Sequence, residues 1–378
     1  MQQIADAAGV SRMAVSLALR NSPKISAPTT KRIQDIAEEM GYRPNPLVSA
    51  LMTQLRHGRE VKRPSTLAYV TAYPSEDGWR RPGPFIAFRE GARRRAEQLG
   101  YSLEDWWLTR PGTTPQRFCD ILYTRDIHGL IIAPLPPGGG QMRLDWERFA
   151  AATIGYSVTA PDLHRASNHQ FGTITHALDE LKALGYRRIG FALSAESDER
   201  VKHHWSAGML VYHQQIELTD RIPLLLTDGP FARQFAAWFS EHRPEVIVSQ
   251  EWQVMRVLDS LGLRVPQDVG FAHLAVGDDE HHWAGMNQNS ELVGSAAVDL
   301  VDAQLRRNER GIPNVPKTVL IPGFWVPGPT VRRIDSPVPA EKLDGANAVP
   351  APEERETAPP PAETAAPQDL RPTAAVIG

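Results

Sequence analysis

Through the middle of the chain, short apolar runs alternate with longer stretches of helical spacing. Leu67-Ala-Tyr-Val-Thr-Ala-Tyr73 predicts a strand, and the segment from about Phe85 to Leu99, closed by Gly100, predicts the helix after it. The theme returns at His128 to Ala133, Ala151 to Gly155, Arg188 to Leu193, Leu224 to Leu226, Glu245 to Ser249 and Val269 to Ala272. Strands this apolar are buried on both faces, which requires parallel sheets flanked by helices. The length suits two such doubly wound sheets in tandem, with a crevice between them at the carboxyl ends of the strands.

Before Pro64 the pattern is helical only. Ile4 to Ala8 is short and breaks at Gly9, and Ser11 caps a second segment running to about Arg20. Ser26 caps a third, with Pro28 in its first turn, an apolar stripe of Ile33, Ile36, Ala37 and Met40, and Gly41 at its end. A short amphipathic stretch, Pro46 to Arg56, follows. This is the layout of a helix-turn-helix domain. In Ile4-Ala-Asp-Ala-Ala-Gly-Val-Ser-Arg-Met-Ala-Val-Ser16, Ala8 is small where two helices cross and Gly9 supplies the turn. Val10 plugs the core and Ser11 caps the next helix. Arg12, Met13, Ser16 and Leu17 are left on the outer face, from which a recognition helix reaches base edges. The competing reading is a plain three-helix bundle with a solvated face.

Charge sharpens the picture once the chain is cut where composition changes. The 378 residues carry a formal net charge of -3. Met1 to Arg63 nevertheless holds ten basic and five acidic residues, net +5, while Ile334 to Gly378 holds three basic and eight acidic, net -5. A basic head is what a polyanion-binding module needs, because neutralising phosphates releases counterions. The tail, with Pro359-Pro-Pro361 among alanines and glutamates, lacks the apolar periodicity that offsets ordering entropy and is expected to be disordered from about Asp335. No uncharged apolar run approaches the ~20 residues of a membrane span, so no membrane association is expected. The polar opening Met1-Gln-Gln-Ile-Ala-Asp6 argues against export, placing the protein in the cytoplasm. The single cysteine, Cys119, excludes an internal disulfide and a multi-thiolate zinc site and reads as core.

Taken together with Ser22-Pro-Lys-Ile-Ser26, Thr29 and Gly41-Tyr-Arg-Pro-Asn45, the helix-turn-helix string resembles the head-piece of the LacI family of bacterial transcriptional regulators. Ala183 to Phe191, Gly262 to Phe271 and the stretch from Pro322 resemble that family's periplasmic-binding-protein-like core. The resemblance covers nearly everything except the tail. It implies a small all-α helix-turn-helix head-piece, then an α/β periplasmic-binding-protein-like core of two doubly wound parallel-sheet subdomains, then a disordered C-terminal tail. The divisions expected are 1–45 for the DNA-binding head-piece, 46–63 for hinge helix and linker, 64–333 for the two-lobed effector-binding and dimerisation domain, and 334–378 for the tail. The implied partners are double-stranded operator DNA of pseudo-palindromic sequence, a second copy of the chain in a homodimer, and a small carbohydrate-like effector.

Carried over position by position, the family's recognition residues fall on Arg12, Met13, Ser16 and Leu17, and Arg20 joins the DNA-binding set. Its phosphate contacts fall on Ser11, Ser26, Thr29, Tyr42 and Asn45, and its minor-groove wedge on Leu51. The family's common arginine one residue after the Ser16 position is Leu17 here, so its guanine contact is missing and the operator is expected to differ at that base. In the effector site, positions where sugar-binding members carry aspartate, arginine and aspartate are Gly155, Trp205 and Ala272. Gln288 keeps the family's amide, and Gln250-Glu251 stands where an Asn-Asp pair is usual. Aromatics accumulate at expected strand ends and helix starts facing the crevice: Tyr73, Trp79, Trp106, Trp107, Trp205 and Trp252. The ligand set expected is therefore Tyr73, Trp205, Gln250, Glu251 and Gln288, with flat rings stacking and amides orienting. Ordinary packing is the competing reading for each tryptophan.

Three signals carry less. Gly138-Gly-Gly140 lacks the Lys-Ser/Thr and helix of a phosphate loop, and adjacent side chains in Asp278-Asp-Glu-His-His282 point apart, so no metal or cofactor is expected. No Ser/His/Asp or Cys/His arrangement has recognisable spacing, so no enzyme is expected. Two function classes stand: a DNA-binding transcription regulator acting as a repressor, or a small-molecule-binding protein or enzyme whose helical head serves only dimerisation. The basic head carrying Arg12, Ser16 and an isolated apolar Leu51 favours the first.

Overall fold

The computed structural model describes residues 2–19, 24–40, 65–80, 83–277, 282–334 and 376–377. At the N-terminus α1 (Gln2–Ala8), α2 (Arg12–Ala18) and α3 (Ala27–Glu39) close on a core of Ile4, Ala5, Ala8, Val15, Ala18, Ile33 and Ala37. Gly9 adopts φ +63°, a conformation L side chains resist, which lets the chain reverse between the first two helices. The Ser11 hydroxyl accepts from the Ala14 N–H at 3.2 Å, the expected cap. The carbonyl ends of α1 and α2 are satisfied from α3: Arg32 Nη2 donates to Ala8 O at 3.0 Å and Gln34 Nε2 to Ala18 O at 3.3 Å. Two expectations need correction. Ser26 stands at the N-cap of α3, but its hydroxyl bonds that of Thr29 at 2.8 Å instead of a helix N–H. Met40 leaves the core stripe because α3 ends before it, and it is 47% exposed.

From Ser65 onward the alternating pattern becomes two lobes. The first contains β1 (Ser65–Thr71), α4 (Pro84–Gln98), β2 (Tyr101–Trp107), α5 (Pro115–Thr124), β3 (Gly129–Ile132), β5 (Ala150–Ile154) and β7 (His164–Asn168), with a short β4 (Gly140–Met142) and β6 (Val158–Ala160) at its margin. The second contains α6 (Gln170–Ala183), β8 (Ile189–Ser194), α7 (Ala195–Arg200), α8 (His204–His213), β9 (Leu225–Thr227), α9 (Phe231–His242), β10 (Val246–Ser249), α10 (Gln253–Ser260), β11 (Gly270–His273) and β12 (Ala284–Asn287). The chain then returns to the first lobe as α11 (Ser290–Arg307) and β13 (Thr318–Ile321), and to the second as β14 (Phe324–Val326). The first sheet runs β13-β7-β5-β3-β1-β2, all parallel. The second runs β14-β12-β11-β10-β8-β9, parallel except for β14. Each sheet has an apolar cluster on both faces, as strands buried on both sides require. On the outer layer of the first lobe α4 and α11 cross so closely that a Cβ on Gly91 would lie 1.9 Å from Glu291 O and one on Gly294 1.9 Å from Phe88 O. Cys119 is free and buried in the core, as expected.

Several strands carried no apolar signal. β2 and β13 are edge strands with half-exposed side chains, so their sequences mix polar and apolar residues. β7 is the reverse case: His-Arg-Ala-Ser-Asn is polar yet fully buried. Its polar groups are paired, with His164 Nδ1 accepting from Lys317 N at 2.9 Å and the Arg165 guanidinium donating to the carbonyls of Gly155 and Val158. Part of the expected tail is also ordered. Ile334 N–H donates to Leu184 O at 2.8 Å, and β15 (Val376–Ile377) pairs in parallel with Gln141 and Met142 of β4. Residues 335–375 and 378 lie outside the described residues.

The lobes are joined by three crossings: β7 to α6, β12 to α11, and β13 to β14. Asn168 ties all three. Its Nδ2 donates to Gln288 O at 3.1 Å and to Ile321 O at 3.0 Å, and its Oδ1 accepts from Thr173 Oγ1 at 2.6 Å. Asn289 Nδ2 adds a bond to Pro322 O at 2.7 Å. Asn168→Leu would leave the two carbonyls and the threonine hydroxyl without partners in a buried place. We expect a loss of about 1–3 kcal/mol, seen as a lower midpoint in urea unfolding followed by tryptophan fluorescence. An unchanged midpoint would show that water replaces the amide.

Candidate functional site

Two surfaces bring the expected site residues together. On the head, the N-terminus of α2 presents Arg12 to solvent and Met13 with 73% of its surface exposed, while Leu17 is half-buried. Ser11 caps the same end, and Ser26 and Thr29 open α3. An exposed methionine beside an exposed arginine at a capped helix start can offer an apolar contact to a thymine methyl and two donors to a guanine edge. The side chain of Ser16 and all of Arg20, Tyr42, Asn45 and Leu51 lie outside the described residues, as does most of Asp278 to His282.

The second surface is the cleft between the lobes, at the carboxyl ends of the strands. A cavity of about 340 Å³ is lined from the first lobe by Gly83, Pro84, Phe85, Phe88, Pro134, Gly155, Tyr156, Ser157 and Ser167. Gln170, Ser197, Arg200, Val201, Trp205, Gln250, Trp252, His273, Ala275, Trp283 and Gln288 line it from the second. Trp205, Gln250 and Gln288 of the expected ligand set stand together there. Gln288 Nε2 donates to Leu274 O at 2.8 Å, and its Oε1 accepts from Gln170 Nε2 at 3.4 Å. Trp205 is only 1% exposed and packs in the second lobe's core, with its indole N–H unpartnered.

Tyr73 and Glu251 are not brought to the cavity. Tyr73 is buried edge-on against Phe85, one layer behind the lining. Glu251 Oε1 accepts from the Ser194 N–H and from the hydroxyls of Ser194 and Ser197, at 3.1, 2.7 and 3.0 Å, which organises the first turn of α7. Three tryptophans expected to face the crevice serve packing instead. Trp79 lies against Tyr69, Trp106 against Phe118, and Trp107 Nε1 donates to Tyr73 O at 2.8 Å.

Tyr156, Ser167, Gln170, Arg200, His273 and Trp283 were not foreseen. Ser167 and His273 lie at the ends of β7 and β11, Tyr156 just past β5, Gln170 at the start of α6, Arg200 at the end of α7 and Trp283 just before β12, positions with no shared periodic signature that only the doubly wound topology gathers. His273 bonds Gln250 O through Nε2 at 3.0 Å while Nδ1 accepts from Ala275 N at 3.3 Å, an arrangement that suits the neutral ring with its proton on Nε2. The ring of Tyr156 meets that of His204 across the cleft at 5.5 Å, and the Arg165 guanidinium lies over the Tyr156 ring, 5.2 Å from its centroid. Burial raises the Tyr156 hydroxyl above its ordinary pKa, opposed by its bond to Ser167 and by Arg165. Among the described residues no group of histidines, cysteines and carboxylates could hold a metal ion, and no helix is long and apolar enough to cross a membrane.

A helix-turn-helix head followed by a two-lobed α/β core with a ligand-sized cleft defines a DNA-binding regulator. Residues 1–45 match the lacI family of bacterial regulatory proteins, and residues 178–331 match the periplasmic binding protein-like domain. It is similar to the HTH-type transcriptional regulator PtxS of Pseudomonas plecoglossicida, 23% identical over 325 residues, which covers 82% of this chain and 90% of that protein. It also resembles the HTH-type transcriptional repressor CytR of Escherichia coli (strain K12), 26% identical over 196 residues, 50% of this chain and 52% of the repressor. Among solved structures, a complex of the transcriptional regulator CelR with cellobiose shares the fold with TM-score 0.50 and 17% identity, over 86% of this chain and 98% of that one. A LacI-family protein from Rhizobium etli does so with TM-score 0.51 and 17% identity, over 71% and 100%.

The burial of Trp205 sets an expectation. Trp205→Ala is expected to cost about 3–5 kcal/mol in unfolding free energy, because it removes a core ring as well as a cavity wall. Trp252→Ala, at a rim position 51% exposed under Arg256, is expected to change stability by less than about 0.5 kcal/mol. Denaturant titrations of both variants check the contrast, and equal losses would contradict it.

Proposed function

We propose that the protein is a transcriptional repressor that binds a pseudo-palindromic operator as a homodimer and is switched by a small carbohydrate-related effector in the interlobe cleft. The observation that carries the DNA-binding half is the outer face of α2, where Arg12 and Met13 project from a capped helix start in an N-terminal segment, residues 1–63, of net charge +5. Arg12, Met13, Ser16, Leu17 and Arg20 read bases or their immediate surround, Ser11, Ser26, Thr29, Tyr42 and Asn45 meet phosphates, and Leu51 wedges the minor groove at the operator centre. Residues 1–45 form the DNA-binding head, 46–63 the hinge and linker, 64–333 the effector and dimerisation core, and 334–378 the tail.

The cleft is read as a binding site, a reading supported by His273, whose two ring nitrogens are both engaged. Lobe closure on the effector would shift the heads between DNA-competent and incompetent arrangements. We place the protein in the cytoplasm, where its operator is. A dimerisation-only head would leave Arg12 and Met13 without a use.

The test is operator binding. Affinity is expected to fall about a thousandfold between roughly 50 and 200 mM salt for about six phosphate contacts. Arg12→Ala is expected to cost roughly 1–3 kcal/mol on the preferred site and to relax preference at one base pair per half-site, measured by fluorescence anisotropy on a set of operator variants. Equal losses on every sequence would make Arg12 a phosphate contact, and a flat salt response would overturn DNA binding itself.

A further inference from the structure

The cleft has a charge imbalance that a neutral sugar does not explain. Among the described residues that line it there is no aspartate or glutamate, and there is one cation, Arg200, at the end of α7. Among the described residues Arg200 makes no ion pair. Its Nη2 donates to Leu135 O at 2.7 Å and its Nη1 to Pro136 O at 3.3 Å, both across the cleft on the first lobe. Burial pushes its guanidinium below the ordinary arginine pKa, and Tyr73 and the exposed Glu196 only partly offset this. A half-buried guanidinium held by two neutral carbonyls and the Tyr73 hydroxyl has no carboxylate bonded to it and retains N–H donors beyond those used. Close by in the lining, the Trp205 indole N–H is buried without a partner, a second donor with nothing to meet. The nearest buried carboxylate on that stretch, Asp198, is committed to His203 Nδ1 at 2.9 Å and to the N–H and hydroxyl of Ser206 at 3.1 and 2.6 Å.

We propose that the effector is a carboxylate-bearing ring compound, its carboxylate on Arg200 and the Trp205 indole N–H, its ring against Phe85 and Trp283. This rests on the reading of the cleft as the effector site and gives that effector a charge. A single planar guanidinium matches a single planar carboxylate, whose two oxygens take parallel N–H bonds, and leaves a dianionic phosphate half neutralised. Because Arg200 belongs to the second lobe and its present acceptors to the first, an anion drawn to it sits at the seam between lobes. Binding there alters the contacts that hold the lobes together.

The experiment uses the full-length protein and matched pairs that keep the ring and change the charge: benzoate against benzamide, D-glucuronate against D-glucose, and 4-nitrophenyl β-D-glucuronide against 4-nitrophenyl β-D-glucoside. Isothermal calorimetry and thermal shift read binding in wild type, Arg200→Gln, Arg200→Lys and Trp205→Phe, with circular dichroism confirming that each variant is folded. In at least one pair the carboxylate is expected to bind about tenfold or more tightly than its neutral twin. Arg200→Gln is expected to abolish that preference and Arg200→Lys to restore part of it. Binding by no carboxylate, equal or better binding by every neutral twin, or a preference that survives in Arg200→Gln would overturn the proposal. A neutral twin that binds wild type at least as tightly as its carboxylate in every pair and weakens in Trp205→Phe would keep the cleft as the effector site while removing the anion. A ligand indifferent to both positions would remove both.

Discussion

The amide of Asn168 holds together the place where one chain becomes two lobes. Three segments pass between the sheets, and a backbone leaving one sheet for another exposes carbonyls that neither ladder can satisfy. Asn168 reaches two of those carbonyls and accepts a hydroxyl from the start of the next helix, while Asn289 supports the third crossing. The cleft is walled around that knot by strand ends and helix starts: the ends of β3, β5 and β7 with the start of α4 on one side, and the ends of β8, β10, β11 and β12 with α7 and the start of α8 on the other. A small rotation about the crossings changes the cleft most and the sheets least, because the sheets are packed on both faces and the crossings are thin.

Electrostatics distributes work unevenly between the lobes. The first buries Arg165 inside the most polar strand, donating to carbonyls beside the face of Tyr156, and burial lowers its pKa against the opposing pull of Tyr156 and Asp162. The second supplies Arg200 to the cleft, again with carbonyls as acceptors. Arginines held this way are costly to bury without carboxylate partners; Arg200 lies in the lining of the cavity. The acids near the site are spent elsewhere: Glu251 on the α7 turn and Asp198 on His203 and Ser206.

The head-piece obeys a different economy. Seven small and medium apolar side chains make its core, the turn needs a glycine at positive φ, and helix ends are capped by Ser11, Arg32 and Gln34. So little surface is buried that each local signal has to agree with its neighbours. The functional face is whatever that core leaves outside, which is how Met13 comes to be exposed.

Features set by local spacing were legible in the sequence alone: the three head helices, the glycine turn, the Ser11 cap, the buried Cys119, and six of the seven apolar strands, whose both-face burial demanded parallel sheets; the seventh, β9, lies at a sheet edge and leaves Leu226 42% exposed. Gln250, Gln288 and Trp205 reached the cleft because they sit just past strand ends or at a helix start, a position that topology makes predictable. What the tertiary structure decided were cases in which the partner is remote in sequence. The strand His164-Arg-Ala-Ser-Asn168 is buried because distant groups satisfy it, and edge strands look irregular because only one flank is covered. Glu251 serves α7 rather than the cavity because Ser194, 57 residues earlier, offers it three donors with Ser197. Arg200 faces the cleft because Leu135 and Pro136 of the other lobe hold it there. Periodicity records which face of an element is covered; it does not record by what, and the chemistry of this cleft lies in that second fact.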